Sequence, residues 1–215
     1  MQKFDHLLKS NYLFHLHTHH TDAFLSVDDY ARYAFENGFS SVIYTEHVNR
    51  DLGFDFPQFV QEVETCRQRY PSLDLVVGVE AKILPGGGLD IPDEIIDSIE
   101  LIGIACHGFP RDGDLYFEVM EGVLTDPLWG KERVWVHPGL FFLQFPELRL
   151  RDWRQRLRKL ADIVNDNGMY GEKNIKYGLP SLIFPELWFS RLIIGWDLHN
   201  QEDLHRVRPA GKNMV

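Results

Sequence analysis

Apolar and polar positions along the chain follow two rhythms that alternate from one end to the other. Short runs rich in apolar residues lie at Tyr12–His17, Ser41–His47, Leu75–Ile83, Leu101–His107, Arg133–His137, Met169–Ile175 and Leu192–His199, and read as strands. Between them apolar residues recur every three or four positions, as on a helix face. Ser26 can cap a helix over Val27–Asn37 that Gly38 stops, and Phe59–Tyr70 carries a second apolar face. The clearest helix is Arg151–Asn167. Trp153, Leu157, Leu160, Ala161 and Val164 share one side there, Arg151, Arg154, Arg156, Arg158 and Lys159 fill the rest, and Gly168 ends it. That basic run reads as a solvated face rather than a dock for an acidic partner.

Strands alternating with helices are the mark of a parallel sheet with crossover helices. At about 30 residues per βα unit, seven units use up the 215 residues and leave no room for a separate module. The pattern predicts an α/β fold, a barrel of seven parallel strands. One domain is expected over residues 1–206, with a loosely ordered tail over 207–215 that contains Pro209 and Gly211. Leu84–Gly88, with its three glycines, reads as a loop.

The chemistry sits at the strand ends. Of ten histidines, His15, His17, His47, His107, His137 and His199 all fall at the C-terminal ends of predicted strands. In a parallel barrel those ends converge on one face. Residues two apart in a strand share a side, which aligns His15 with His17, Asp197 with His199, Glu172 with Asn174, and Glu80 with Gly78 and Lys82. Any one such histidine could be an ordinary core residue. Six together with Glu80 and Asp197, where a barrel would hold Val, Ile or Leu, are costly to bury without cations. Imidazole mixed with carboxylate suits Zn, Mn or Fe better than Mg or Ca. Nine candidate ligands (His15, His17, Asp22, His47, Glu80, His107, His137, Asp197 and His199) exceed what one ion can use, so two or three divalent ions are expected, with Glu80 able to bridge a pair.

Composition narrows the partners. A formal net charge of −10 excludes a protein that holds long nucleic acid mainly through phosphate contacts, but leaves room for a small anion drawn in by metals. No signal-like N-terminus or membrane-length apolar run is present, and Cys66 and Cys106 are too few for a disulfide framework, so a cytoplasmic protein is expected. Alternation turns Cys106 away from His107 into the packing behind the strand. Lys82, Arg111 and Lys173 are candidate phosphate anchors, with Lys173 on the opposite parity from Glu172. Phe141, Phe142 and Phe145 could line the mouth or simply pack. The oligomeric state stays open.

The motifs then resemble, in order, those of the polymerase and histidinol phosphatase (PHP) superfamily. His15-Leu16-His17-Thr18 followed by Thr21-Asp22-Ala23 is similar to its opening motif. Tyr44-Thr45-Glu46-His47, Gly78-Val79-Glu80, His107, His137-Pro138, Glu172-Lys173-Asn174 and Gly195-Trp196-Asp197-Leu198-His199 resemble those that follow. The helix-to-strand segment from Phe56 to Glu80 is closer to the histidinol-phosphatase branch. The resemblance implies a distorted seven-stranded (β/α)7, TIM-like barrel with a trinuclear site. One ion would lie on His15, His17, Glu80 and Asp197, a second on Glu80, His107 and His137, and a third on His47 and His199, with Asp22 as an additional ligand and His20 as its competitor. His6, His19 and His205 have no motif support. Trp196 stands where the family has a small residue, and could narrow the pocket or pack behind the strand.

The expected activity is hydrolysis of a small phosphomonoester, a phosphorylated metabolite, by metal-bound hydroxide, with Glu80, Asp197 and His199 at the catalytic centre. Either His199 or a nearby acidic group would protonate the leaving alcohol. The competing readings are a nuclease or cyclic phosphodiesterase on short nucleic acid, and a catalytically silent metal-binding module.

Overall fold

The computed structural model describes residues 2–8, 10–127, 130–150 and 153–207. Most of the expected tail and the first residues of the helix expected from Arg151 therefore lie outside the described residues. The elements in order are α1 (Gln2–Leu7), β1 (Tyr12–Leu16), α2 (Val27–Glu36), β2 (Ser41–Tyr44), β3 (Glu46–Val48), α3 (Phe56–Arg69), β4 (Asp74–Val76), β5 (Gly78–Lys82), β6 (Leu101–Ala105), α4 (Gly113–Thr125), β7 (Glu132–Trp135), α5 (Leu140–Gln144), α6 (Arg154–Asp166), β8 (Tyr170–Asn174), β9 (Leu192–Gly195) and α7 (Gln201–Arg206).

Every strand pairing is parallel. Two expected strands are each broken in the middle, so the ladder divides into β1-β2-β4 and β3-β5-β6-β7-β8-β9. The breaks have a backbone cause. At Thr45 both the N–H and the hydroxyl turn to the Leu16 carbonyl, at 2.9 and 3.3 Å. At Val77 the N–H donates to the Glu100 carboxylate and the carbonyl accepts from the Glu100 N–H. Between the last and first strands the ring is bridged irregularly. Trp196 N–H donates to Phe14 O, Leu198 N–H to His15 O, and His17 N–H to Leu198 O, at 3.0–3.1 Å. Seven barrel positions, two of them split, make this the distorted (β/α)7 architecture.

Helix ends follow local chemistry. Ser26 and Asp29 form a reciprocal capping box on α2, and Asp55 caps α3. The structure adds α4, which buries Tyr116, Phe117, Val119, Met120, Val123 and Leu124 on one broad face and exposes Asp114, Glu118, Gly122 and Thr125 on the other. Helix α6 packs beside it. Arg156 pairs with Asp114 at 2.7 Å and lies over the Phe117 ring, while Lys159 pairs with Glu121 at 2.6 Å. Part of the basic face on α6 is thus answered inside the chain.

Alternation along the strands creates two apolar layers. Leu13, Val42, Tyr44, Val79, Ala81, Ile102, Ile104, Cys106 and Trp135 pack outward against the helices. Phe14, Ile43, Val76, Leu101, Ala105, Val134, Val136, Tyr170 and Ile193 fill the inside, joined by Phe4 and Leu7 of α1. No described helix is long and apolar enough to cross a membrane.

Candidate metal centre

Above that inner layer, on the same strands, the interior turns polar. His15, His17, Glu80, His137, Glu172, Asn174 and Asp197 are all buried. Glu80 stands at the middle. Its Oε2 lies 3.5 Å from His15 Nε2, 3.4 Å from His17 Nε2 and 3.1 Å from His47 Nδ1, and its Oε1 lies 3.6 Å from His107 Nδ1 and 2.7 Å from His137 Nε2. Asp197 Oδ1 is 3.5 Å from His17 Nε2 and 3.3 Å from His199 Nδ1. Asp22 Oδ2 lies 3.5 Å from His47 Nε2 and 3.4 Å from His199 Nε2. The nine candidate ligands therefore form one connected cluster.

The backbone bends to bring them there. Among described non-glycine residues only His15, Leu52, His137 and Asp197 have positive φ, at 66°, 36°, 32° and 54°. Three of the four belong to the cluster, and left-handed backbone of this kind is held only where surrounding structure enforces it. Phe14 already faces the interior, so plain alternation would turn His15 outward. A register shift between Phe14 and Leu16 turns it back in. His137 follows inward-facing Val136 and is turned in the same way.

Glu172 orients two of these residues. It accepts from His15 Nδ1 at 2.5 Å, from the His137 backbone N–H, and from Asn174 Nδ2 at 3.2 Å. Donating Nδ1–H to this carboxylate leaves the His15 Nε2 lone pair facing Glu80 and Asp197, the outer carboxylate–histidine arrangement common at metal sites. Gly195 is required beneath it, because a Cβ there would overlap the Glu172 carboxylate.

Whether cations fit can be read from atoms that lack partners. His15 Nε2, both ring nitrogens of His17, Glu80 Oε2 and His137 Nδ1 are buried without any hydrogen-bond partner. Buried polar atoms are nearly always paired in folded proteins, so five in one place call for a ligand. Their mutual spacings also fit: ligand atoms about 2.0–2.1 Å from a tetrahedral ion sit about 3.3 Å apart. Three groups can each converge on one point: His17, Asp22, His47 and His199; His15, His17 and Glu80; and His47, Glu80 and His107. Electrostatics divides the donors: against the effect of burial, neighbouring carboxylates raise His15 and His47, so an ion there would displace a proton. Burial pushes His17 down to about 3 and His107 down to about 4, which keeps both rings neutral. Burial alone would raise the Glu80 and Asp197 carboxyls, but the surrounding imidazoles, joined at Asp197 by Lys176, hold both well below the usual range.

A cavity of about 500 Å³ opens over the cluster, walled by Asp22, His47, Glu80, His107, Asp197 and His199 together with Lys82, Lys176 and Tyr177. Lys176 and Tyr177 have no counterpart in the sequence reading; they lie in the loop after β8, where no periodicity marks them. Lys176 Nζ is 3.3 Å from Asp197 Oδ2 and 3.2 Å from His199 Nδ1. Lys82 is on the wall, 3.8 Å from Asp90. Arg111, a candidate anchor, is not brought to the cavity: its Nε pairs with Glu147 at 2.5 Å. Lys173 points to the exposed side of its strand. Phe141 and Phe142 are buried, Phe141 stacking on Tyr116, and Trp196 packs against the outer layer and leaves the cavity open. Cys106 is buried in that outer layer, and burial pushes its thiol up to about 12, too high for a nucleophile at neutral pH.

The family profile for the PHP domain matches residues 14–126, more than half of the chain. Among curated proteins, no sequence gives a significant match. Among solved structures, the chain is similar to a histidinol phosphate phosphatase from Lactococcus lactis subsp. lactis, complexed with zinc, L-histidinol and phosphate. Sequence identity is 14%, 91% of this chain and 90% of that one are covered, and the TM-score is 0.64. A two-domain protein from Bacteroides vulgatus, described as containing a predicted PHP-like metal-dependent phosphoesterase, matches at 16% identity over 91% of this chain and 53% of that one, with a TM-score of 0.47.

Proposed function

The chain belongs to the PHP domain family, and from that premise we propose that it is a metal-dependent phosphoesterase hydrolysing a small phosphomonoester, after the manner of a histidinol phosphatase. The observation that carries this reading is the set of five buried, partnerless imidazole and carboxylate atoms beneath a cavity of about 500 Å³. His15, His17, Asp22, His47, Glu80, His107, His137, Asp197 and His199 would hold two or three ions of the Zn, Mn or Fe type. When bound, such ions lower the pKa of water and neutralise phosphoryl oxygens.

The chain's own groups divide the remaining work. Lys82 and Lys176 on the cavity wall would face the anionic ester, each as a point charge on a flexible stem. Asp22, Glu80 and Asp197 are all held below the usual carboxylate range and carry no proton at neutral pH. None of these three carboxylates can therefore protonate the departing alcohol. Among the cavity-lining residues only Lys82 and Lys176 are cationic, so no basic track favours a nucleic-acid strand.

The test is phosphate release from a panel of aryl and metabolite monophosphates, beside cleavage of a bis-aryl phosphodiester. Monoester turnover that disappears on chelation and returns with Zn, Mn or Fe is expected. Turnover that survives thorough chelation, or cleavage of the diester alone, would count against the proposal.

A further inference from the structure

The β1–α2 loop carries two more imidazoles that the cavity does not use. The rings of His19 and His20 lie 4.4 Å apart. From α3, Glu62 reaches toward them, with its Oε2 3.1 Å from His20 Nε2. Each of the three residues can offer one ligand atom, all within 4.8 Å of one another. None of them lines the cavity over the main cluster.

His20 is the informative member. Its side chain is 6% exposed, and the rings of Phe54 and Phe59 lie 5.9 and 5.7 Å from its own. Despite the carboxylate beside it, His20 Nε2 is buried with no hydrogen-bond partner. A histidine–glutamate pair that satisfied itself would align N–H with oxygen. Here the two atoms are close without that alignment, as they would be if both lone pairs were aimed at a third point. Ligand atoms on one tetrahedral ion are separated by about 3.3 Å, near the spacing observed. His19 is exposed and Glu62 half-buried, which leaves the solvent side open for entry.

We propose that His19, His20 and Glu62 form an accessory site for one transition-metal dication of the zinc class, with two imidazoles, one carboxylate and a fourth position open to water. The ion would tie the loop that carries Asp22 to helix α3. Nothing in this inference depends on what the main cluster binds or on the proposed activity.

The whole protein, stripped by chelation, is titrated with zinc against a chromogenic chelator, alongside Glu62→Gln and His19→Ala, both of which change solvent-accessible side chains. Each variant is expected to bind one equivalent fewer than wild type, or to bind that equivalent at least tenfold more weakly. Unchanged stoichiometry and affinity in both variants would overturn the proposal. A second reading uses wild type alone: the ¹⁵N resonance of His20 Nε2 should move as zinc is added, and a ring that does not respond through saturation overturns the assignment whatever the variants do.

Discussion

The floor and the mouth of this barrel are lined by the same strands and behave as opposites. On the floor, Phe14, Ile43, Val76, Leu101, Val134 and Ile193 close against Phe4 and Leu7 in one apolar cluster. One to four residues further along those strands stand His15, His17, Glu80 and His137, whose buried nitrogens and oxygens include five with nothing to bond. The floor stabilises the fold by removing hydrocarbon from water. Each unsatisfied buried polar group at the mouth costs about 1–3 kcal/mol, so the mouth makes sense only as a place where something binds. The two layers teach that one scaffold supplies rigidity below and leaves an unmet demand above.

Four substitutions probe that division, from the largest expected effect down. Glu80→Gln removes the charge that five imidazoles face, and should cut turnover by about 10³-fold or more, beyond the 10–100-fold typical of outer-shell changes; steady-state kinetics and metal content read it. Leu101→Ala on the floor should cost about 2–5 kcal/mol in denaturant unfolding, while metal content per folded molecule stays at the wild-type level. If that variant lost its metals, floor and mouth would not be separable. Glu172→Gln weakens the orientation of His15 and His137, and should lower metal affinity or activity by about 10–100-fold. Lys176→Met should raise KM for a phosphomonoester about tenfold with kcat little changed, the mark of lost uniform binding.

How much was legible in the sequence also divides between these layers. Helix α2 was marked by Ser26, and the inward placement of Glu80 and His107 follows from plain alternation along β5 and its neighbour β6. His15 and His137 do not obey that rule. Their side chains reach the mouth through left-handed backbone, which no periodicity announces. The breaks at Thr45 and Val77 depend on partners 29 and 23 residues away, Leu16 and Glu100, so a local reading sees continuous strands. Helix α4 has a wide buried face, with Asp114, Glu118, Gly122 and Thr125 recurring every three or four residues on its exposed side. Lys176 and Tyr177 belong to a loop, and only their place just after Glu172 and Asn174 could have pointed to them. Arg111 looked available beside His107, but Glu147, contributed by a distant turn, engages it.

The most direct measurement is anomalous diffraction at the zinc, manganese and iron edges, on crystals of protein purified without added metal. Two or more peaks are expected within the mouth, with Glu80 Oε2 and His17 Nε2 as ligands of at least one. A mouth with no anomalous peak, and ordered water alone among His15, His17, Glu80 and Asp197, would contradict the claim that cations satisfy it.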